Sequence, residues 1–246
     1  MENSVYVTIA RQTALQRQMD VVANNIANSS TTGFKREGTL FAEVIERLPE
    51  SGQKLSMSSD PATFTDMSEG SIAETGDPLN VAILGRGLIA VDRDGETVYT
   101  RDGRFAVNPA GELALLTGER VLDAGGAPVQ IPQNATRIAI AADGTLSADG
   151  RTIGQLGLFD TQAARLERIG NGLFRTDEPL PAVQPPLIAI QRPRFAQGFL
   201  ETSNVNPVVE LVRMIEIQRA YELGQNVLQA EHDRITSVTD IVGNTA

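Results

Sequence analysis

The sequence of 246 residues contains no cysteine and no tryptophan, and its one histidine is His232. Without cysteine there is no disulfide, no thiolate metal ligand and no cysteine nucleophile. A single imidazole leaves little material for a histidine metal cluster or for catalysis that depends on histidine. Aromatic residues make up only 4% of the chain, so a packed core has to be built from Val, Ile, Leu and Ala. These shortages single out no catalytic residue, metal ligand or cofactor-binding residue, and we expect no enzyme activity, no bound metal, no cofactor and no small-molecule ligand.

Positive charge is also scarce, and long apolar runs are missing. Lys and Arg number 21 against 31 Asp and Glu, which gives a formal net charge of −10. A nucleic-acid binder needs clustered Lys and Arg to neutralise phosphates, so no nucleic-acid partner is expected. The longest apolar runs, such as residues 81–84 and 138–142, are far shorter than the roughly 18 residues of a membrane-spanning helix. The first twelve residues carry Glu2 and no basic leader, which predicts that no secretory signal is cleaved.

Helical periodicity is confined to the two ends of the chain. Between about Ser4 and Ala27, apolar residues recur at spacings of three and four, the pattern of an amphipathic helix: Leu15, Met19, Val22 and Ile26. From about Asn206 to Val242, one row of residues repeats every seven positions: Met214, Tyr221, Leu228, Ile235 and Val242. Its companion row is mostly polar: Leu211, Gln218, Gln225, His232 and Thr239. A strict seven-residue repeat is typical of a helix that supercoils around partners.

The middle of the chain has the period of two and the turn signals of β-structure. Asp-Gly pairs such as Asp94-Gly95 and Asp149-Gly150 separate short apolar stretches, and this pattern is a strong hairpin signal. We therefore predict an α+β fold in which long N- and C-terminal helices form a coiled-coil-like core domain around a central all-β sandwich or barrel. The predicted segments are an N-terminal helix and exit loop (1–36), an extended acidic connector (37–77), the β-rich domain (78–199) and the C-terminal helix (200–246).

One stretch of the middle matches a cofactor motif formally. Residues 85–90 read G-x-G-x-x-A, like a dinucleotide-binding fingerprint. That chemistry needs a helix to begin at the second glycine, so that the helix N-terminus faces the pyrophosphate. Here more strand and then a turn follow, so we interpret the glycines as part of a hairpin and not as a cofactor site.

Three blocks of sequence, in order, resemble the bacterial flagellar rod, hook and hook-associated proteins. The first covers residues 20–36 and includes Asn24, Asn25, Asn28, Gly33 and Phe34. The second covers residues 76–105, with Gly76-Asp77-Pro78-Leu79-Asn80 and Tyr99-Thr100-Arg101-Asp102-Gly103. The third covers residues 197–222, with Asn204, Asn206, Gln218 and Arg219. Together the blocks span both ends and the middle of the chain, so the resemblance covers essentially all of it.

The resemblance implies a structural subunit of the flagellar basal-body rod. In that family the terminal helices pack together and against neighbouring subunits to build a hollow drive shaft that transmits torque to the hook and serves as an export channel. It also implies export by the flagellar type III apparatus without a cleaved signal, a location in the periplasm-spanning rod, and partners that include proximal and distal rod proteins and the rod cap. The candidate assembly residues are those of the helical rows: Leu15, Met19, Val22, Ile26, Leu211, Met214, Tyr221, Leu228, Ile235 and Val242.

Other interpretations stay open from the sequence. Chain length and the run at residues 63–70 favour a proximal over a distal rod subunit, and the distal subunit is the alternative within the family. Outside it, an extracellular β-sandwich binding module or a carbohydrate-active enzyme would each suit a β-rich acidic chain, because paired carboxylates for glycoside hydrolysis could lie anywhere among its many acidic residues.

Overall fold

A computed structural model describes residues 2–40, 43–47, 54–58, 62–160, 166–176, 180 and 194–243. In this part of the chain one long helix lies near each end, α1 (Glu2–Ala27) and α2 (Pro207–Gly243), and strands fill the region between them. Internal contacts divide the protein into two compact units. Unit 1 consists of Met1–Ala27, Glu37–Asp66 and Asn206–Ala246, and unit 2 of Asn28–Arg36 and Met67–Val205.

In unit 1, α1 and α2 pack against each other and run antiparallel, since Gln12 Nε2 donates to the Tyr221 carbonyl and Asn25 Nδ2 to Glu210 Oε2. The unit also holds an antiparallel two-stranded ribbon. Its strands are β1 (Glu37–Leu40), β2 (Glu43–Arg47), β3 (Lys54–Ser58) and β4 (Ala62–Thr65). The β1–β4 register continues into β2–β3 with a shift of one residue.

Unit 2 is built almost entirely from short antiparallel strands. Its described strands are β5 (Ile72–Glu74), β6 (Val81–Leu84), β7 (Leu88–Arg93), β8 (Glu96–Thr100), β9 (Phe105–Val107), β10 (Leu113–Leu115), β11 (Arg120–Val121), β12 (Ile138–Ile140), β13 (Thr145–Ala148), β14 (Arg151–Gln155), β15 (Leu158–Phe159), β16 (Leu166–Gly170), β17 (Leu173–Thr176), β18 (Arg194–Gln197) and β19 (Phe199–Glu201).

The largest sheet of unit 2 has the order β16-β17-β8-β7-β11-β10-β9, with β15 also paired to β7. β12, β13 and β14 form a second sheet, while β18 pairs with β6 and β19 with β5. One apolar core, which includes Val91, Leu113 and Leu146, fills the space between the sheets, and a smaller one surrounds Phe174 on the other face. Asp94-Gly95 and Asp149-Gly150 turn with positive φ at both positions, as two-residue hairpins require.

The prediction of an extended acidic connector over residues 37–77 was wrong. Residues 37–65 contain the four strands of the ribbon, and Ile72–Glu74 pairs with Phe199–Glu201. The prediction rested on the acidic composition of this segment. Acidic residues are compatible with strands here, because a two-stranded ribbon keeps much of its surface in water. Gly38 lies opposite Phe64, and a Cβ on Gly38 would lie 2.4 Å from the Phe64 ring, so the ring covers the glycine and joins the two strands.

The predicted coiled-coil-like core was also wrong. The described chain has one helix near each end, and the fully buried residues where the two helices meet are largely polar or small. On α1 the buried positions are Gln12, Ala14, Val22 and Asn25, and on α2 they are Glu210 and Ile217. On α2, the positions turned toward α1 are Glu210, Ile217, Gly224 and Glu231, each one residue before a position of the predicted companion row. The companion-row residues Gln218, Gln225 and His232 are exposed. A coiled coil needs apolar side chains in both rows, and this pair lacks them.

Candidate functional site: a buried charge cluster and the terminal helices

Within unit 2, one residue from each of the three sequence blocks meets in a buried group of charges, the Glu201 cluster (Lys35, Arg101 and Glu201). Lys35 Nζ lies 2.6 Å from Glu201 Oε1, and Arg101 Nε lies 2.7 Å from Glu201 Oε2. All three side chains are at most 1% exposed. Residues 166 and 100 positions apart in the chain are thus joined through one carboxylate.

Local structure aims these side chains inward. Glu201 is the last residue of β19, where it is buried next to half-buried Leu200. Arg101 follows directly after β8 and donates from Nη1 and Nη2 to the carbonyls of Gly87 and Ile83, at 2.9 and 3.0 Å. Lys35 lies in the segment after α1 and donates to the Ser68 carbonyl at 2.6 Å. The hydrogen bonds of the buried charges are therefore shared with backbone that only this fold brings close.

Glu201 is the acceptor at the centre. Its Oε1 also accepts from the Gly70 amide at 2.8 Å, and its carbonyl accepts from the Gly33 amide at 2.8 Å. Two cations thus face one carboxylate in a region without solvent. Burial and the nearby Arg101 guanidinium lower the pKa of Lys35, while Glu201 opposes that shift.

Three glycines let backbone segments approach one another around the cluster. A Cβ on Gly103 would lie 1.7 Å from the Val81 carbonyl oxygen, and one on Gly70 would lie 2.0 Å from the Thr202 carbonyl oxygen. Gly33 has a φ of +67°, and a Cβ there would lie 2.6 Å from the Arg101 carbonyl group. Larger residues at these positions would push the backbone segments apart, which explains Gly33 in the first block, Gly103 in the second and Gly70 between them.

Phe34 and Asn204 hold the same region together. The Arg168 guanidinium carbon lies 4.2 Å from the centroid of the buried Phe34 ring, and Arg168 donates to the Lys35 carbonyl. Asn204 Oδ1 accepts from the Arg36 amide at 2.7 Å, and its Nδ2 donates to the Ser68 carbonyl at 3.1 Å. These are the partners of two side chains that the family resemblance singled out.

In unit 1 the other motif asparagines organise helix ends. Asn25 is fully buried, where its Oδ1 accepts from the Glu37 amide and its Nδ2 donates to the Glu37 carbonyl. Asn206 Oδ1 accepts from the amides of Val208 and Val209, the geometry of an N-cap.

The remaining motif residues have less defined roles. Asn28, in unit 2, accepts from the Thr31 hydroxyl at 3.2 Å and helps to close the turn after α1. Asn24, Gln218 and Arg219 are exposed.

The predicted assembly residues differ in how far they are buried on the helix pair. Val22 is buried, and Leu15, Met19, Ile26, Met214, Tyr221 and Leu228 are half-buried. Leu211 is 53% exposed. The side chains of Ile235 and Val242 lie outside the described part of the structure. The half-buried residues on α2 share the side that carries Ile217 and Gly224, which is the side turned toward α1.

Away from the side turned toward α1, α2 presents a second apolar row, which we call the outer row. It consists of Val208, Val212, Ile215, Leu223 and Val227, each between 42% and 69% exposed. At 100° per residue, Val208, Val212 and Ile215 lie about 140–180° from Ile217, whereas Leu223 and Val227 lie about 120° and 80° from it, so the row runs from the back of α2 onto one flank. Exposed apolar residues that follow one another along a helix are the kind of surface found at interaction sites.

Sequence reasoning missed Arg101, Glu201 and Glu210 as key residues, although all three lie within the ranges of the sequence blocks. The sequence offered one signal for Glu201. It is an ionisable residue at the end of a short strand, and segments that contain glycine lie next to that strand. Their meeting could not be read from the sequence, because spacing along the chain does not reveal contacts over a hundred residues or more.

A polar depression of about 500 Å³ is lined by the β7–β8 turn and the hairpin of β10 and β11, and the charges in it pair with each other, Arg120 with Asp92 and more distantly with Glu112. The described residues contain no group of three or more His, Cys, Asp or Glu arranged to hold a metal ion. No helix in the described ranges is both long and apolar enough to cross a membrane.

The residues of the sequence blocks bind one another and the backbone, so the described contacts give them a structural role. Comparison with known families places each block. Residues 6–35 match the family described as flagella basal body rod protein, residues 82–148 the flagellar hook protein FlgE/F/G D1 domain, and residues 196–241 the flagellar basal body rod FlgEFG protein C-terminal family.

Curated relatives agree along the whole length. The chain is 41% identical to the flagellar basal-body rod protein FlgF of Mesorhizobium japonicum and 37% identical to that of Rhizobium meliloti, in each case over 90% of both chains. It is 33% identical to FlgF of Escherichia coli over 95% of both chains. The chain belongs to the flagellar basal-body rod protein family, and it is a structural subunit of the rod. The family prediction made from the three blocks is confirmed.

Proposed function

We propose that this subunit assembles into the rod of the flagellar basal body through its terminal helices, and that the outer row of α2 is the surface that contacts the neighbouring subunit. The observation that carries this proposal is the exposed apolar character of Val208, Val212, Ile215, Leu223 and Val227. Burial of such side chains at a contact is favourable by about 25 cal/mol per Å². The charged side chain of Arg219 interrupts the outer row. It thereby fixes the register of the contact, that is, the position of the neighbouring subunit along α2.

A contact between unlike surfaces of successive subunits does not close on itself and therefore builds a helical filament. The α2 helix of 37 residues is about 55 Å long at 1.5 Å per residue, so it can reach more than one neighbour. Such a filament of packed helices is a stiff hollow shaft, suited to transmitting torque to the hook and to passing exported subunits.

The residues of the helical rows then divide between two tasks. Leu211 joins the outer contact, because it is exposed beside the outer row. Half-buried Leu15, Met19, Ile26, Met214, Tyr221 and Leu228 align α1 with α2 and complete their burial when neighbours pack on them. Val22 is already buried and stabilises the helix pair, and we assign Ile235 and Val242 to the assembly interface from the sequence row alone.

We assign the subunit to the proximal rod, whose subunit is the FlgF-like member of the family, because several of its relatives at 37–41% identity are FlgF proteins, whereas FlgG relatives from Buchnera aphidicola are 30–33% identical. Its partners are then other proximal and distal rod subunits, the flagellar type III export apparatus and the rod cap. The location is the part of the basal body that spans the periplasm, reached without cleavage of a signal peptide.

A matched pair of leucines tests the helix contact. Leu223 is 67% exposed on the outer row of α2, and Leu116 is 64% exposed on the turn between β10 and β11 in unit 2. A strain that lacks the native gene receives either Leu223→Asp or Leu116→Asp. We expect Leu223→Asp cells to stop swimming and to yield incomplete rods, because a charge cannot be buried in the contact.

The matched control separates assembly from folding. We expect Leu116→Asp cells to swim normally, and both purified variants to keep the circular dichroism of the wild type. Normal rods in the Leu223→Asp strain would contradict the assigned surface.

A further inference from the structure

We propose that the Glu201 cluster acts as a latch. Residues 28–36 dock onto the rest of unit 2 only when the chain extends to residue 204. The latch segment (28–36) follows α1 and carries Lys35. This inference concerns the folding of unit 2 and goes beyond the role of the helices in assembly.

The charges make docking depend on one residue. In the described chain, the ion pairs of Lys35 and of Arg101 are both made to Glu201. A buried cation without its partner is strongly unfavourable. Until Glu201 is present, Lys35 therefore stays in water and the latch segment with it.

The backbone bonds of the latch segment lead to the same late part of the chain. The Gly33 amide donates to the Glu201 carbonyl at 2.8 Å, and the Arg36 amide donates to Asn204 Oδ1 at 2.7 Å. The Asn204 amide in turn donates to the Phe34 carbonyl at 3.4 Å. Three residues of the latch segment are thus held by residues 201–204 through the main chain or the Asn204 side chain, in addition to the charge pair.

Sequence separation places this docking late in folding. Lys35 and Glu201 are 166 residues apart, so their contact closes a very long loop, whereas the hairpins of the largest sheet close short ones. Loop closure has to precede the gain from a non-local contact. We expect the sheets to form first and the latch segment to dock onto them last.

The consequence is a check on completeness. A chain that ends before Glu201 forms its hairpins but cannot bury Lys35 and Arg101, so its N-terminal segment remains undocked. Only a chain that extends to residue 204 presents a finished unit 2.

The test uses the full chain with Glu201→Gln, which keeps the shape of the side chain and removes its charge. Lys35 and Arg36 are both trypsin sites, and cleavage after them reports undocking of the latch segment. We expect cleavage there to rise at least about tenfold, because proteolysis follows the population of the open form. We also expect the refolding rate to stay within about twofold of the wild type while unfolding accelerates, as for a contact formed after the transition state.

Glu96→Gln is the matched control, because it removes an exposed carboxylate that pairs with Arg175, and its cleavage after Lys35 and Arg36 should equal that of the wild type. Refolding slowed by Glu201→Gln in proportion to the lost stability would overturn the proposal, since the cluster would then form early. Unchanged cleavage would overturn it as well.

A measurement on the unaltered protein keeps the proposal testable if Glu201→Gln does not fold. In native-state hydrogen exchange, we expect the amides of Gly33 and Arg36 to exchange together and well before that of Val91 in the central sheet. Exchange of all three amides in a single global opening would overturn the proposal.

Discussion

At the level of single residues, the Glu201 carboxylate accepts bonds from Lys35 Nζ, Arg101 Nε and the Gly70 amide without contact with water. Because two cations share it, the two sides of the cluster are not equivalent. Loss of the anion leaves both cations unpaired. Loss of Lys35 leaves Glu201 paired with Arg101, and the Ser68 carbonyl keeps the bond from Asn204.

We therefore expect Glu201→Gln to lower the free energy of unfolding by about 3–5 kcal/mol, the usual cost of breaking a buried pair. Lys35→Met should cost less than half as much. Urea unfolding followed by circular dichroism measures both values. Equal losses from the two substitutions would show that the charges contribute independently.

The lowered pKa of Lys35 predicts a pH dependence with a definite sign. Burial and Arg101 lower the pKa of folded Lys35 below the value of 10.5 in the unfolded chain. Between these two values the unfolded chain holds more protons, so stability rises with pH in that window and the gain is complete above pH 10.5. The difference in unfolding free energy between wild type and Lys35→Met, measured from neutral pH to pH 10.5, should move in favour of the wild type. A difference that stays constant would contradict the shift.

The sequence could place individual residues only where the signal is local. Asp94 and Gly95 form the hairpin turn that their pairing predicts, with φ of +55° and +86°. Glu201 carries no local sign of its role, because what determines that role is the approach of Lys35 and Arg101 from distant parts of the chain.

At the level of elements, α2 begins where the sequence indicates, at Pro207 behind the Asn206 cap. The prediction of an acidic connector was wrong because it gave more weight to the acidic composition than to the alternation of polar and apolar residues in runs such as Thr63-Phe64-Thr65. The buried row of α2 was only half predicted. The seven-residue repeat located Met214, Tyr221 and Leu228, but the companion positions carry Glu210 and Gly224, which no search for apolar residues selects.

The cap of α2 can be tested separately. Asn206→Ala removes the acceptor of the Val208 and Val209 amides and should lower the free energy of unfolding by about 1 kcal/mol. Asn206→Asp keeps an acceptor at the same place and should stay close to the wild type. Thermal unfolding at 222 nm measures both variants. Equal melting temperatures for Asn206→Ala and the wild type would show that the cap contributes nothing.

At the level of the whole molecule, the order of the three blocks identified the family, and their meeting in unit 2 explains why blocks so far apart occur together. The first and third blocks also lead into α1 and α2, the helices that we propose to hold the rod together. The sequence predicted that these helices serve assembly, but not which side of α2 is free. Burial in the folded chain separates the side that faces α1 from the outer row.

The central claim is that the outer row of α2 touches a neighbouring rod subunit. A benzophenone amino acid placed at Leu223 and activated in living cells tests it directly, with the same group at exposed Leu116 for comparison. We predict a covalent product from position 223 that mass spectrometry identifies as two rod subunits, and none from position 116. Equal products from both positions, or none from position 223 in cells with complete rods, would contradict it.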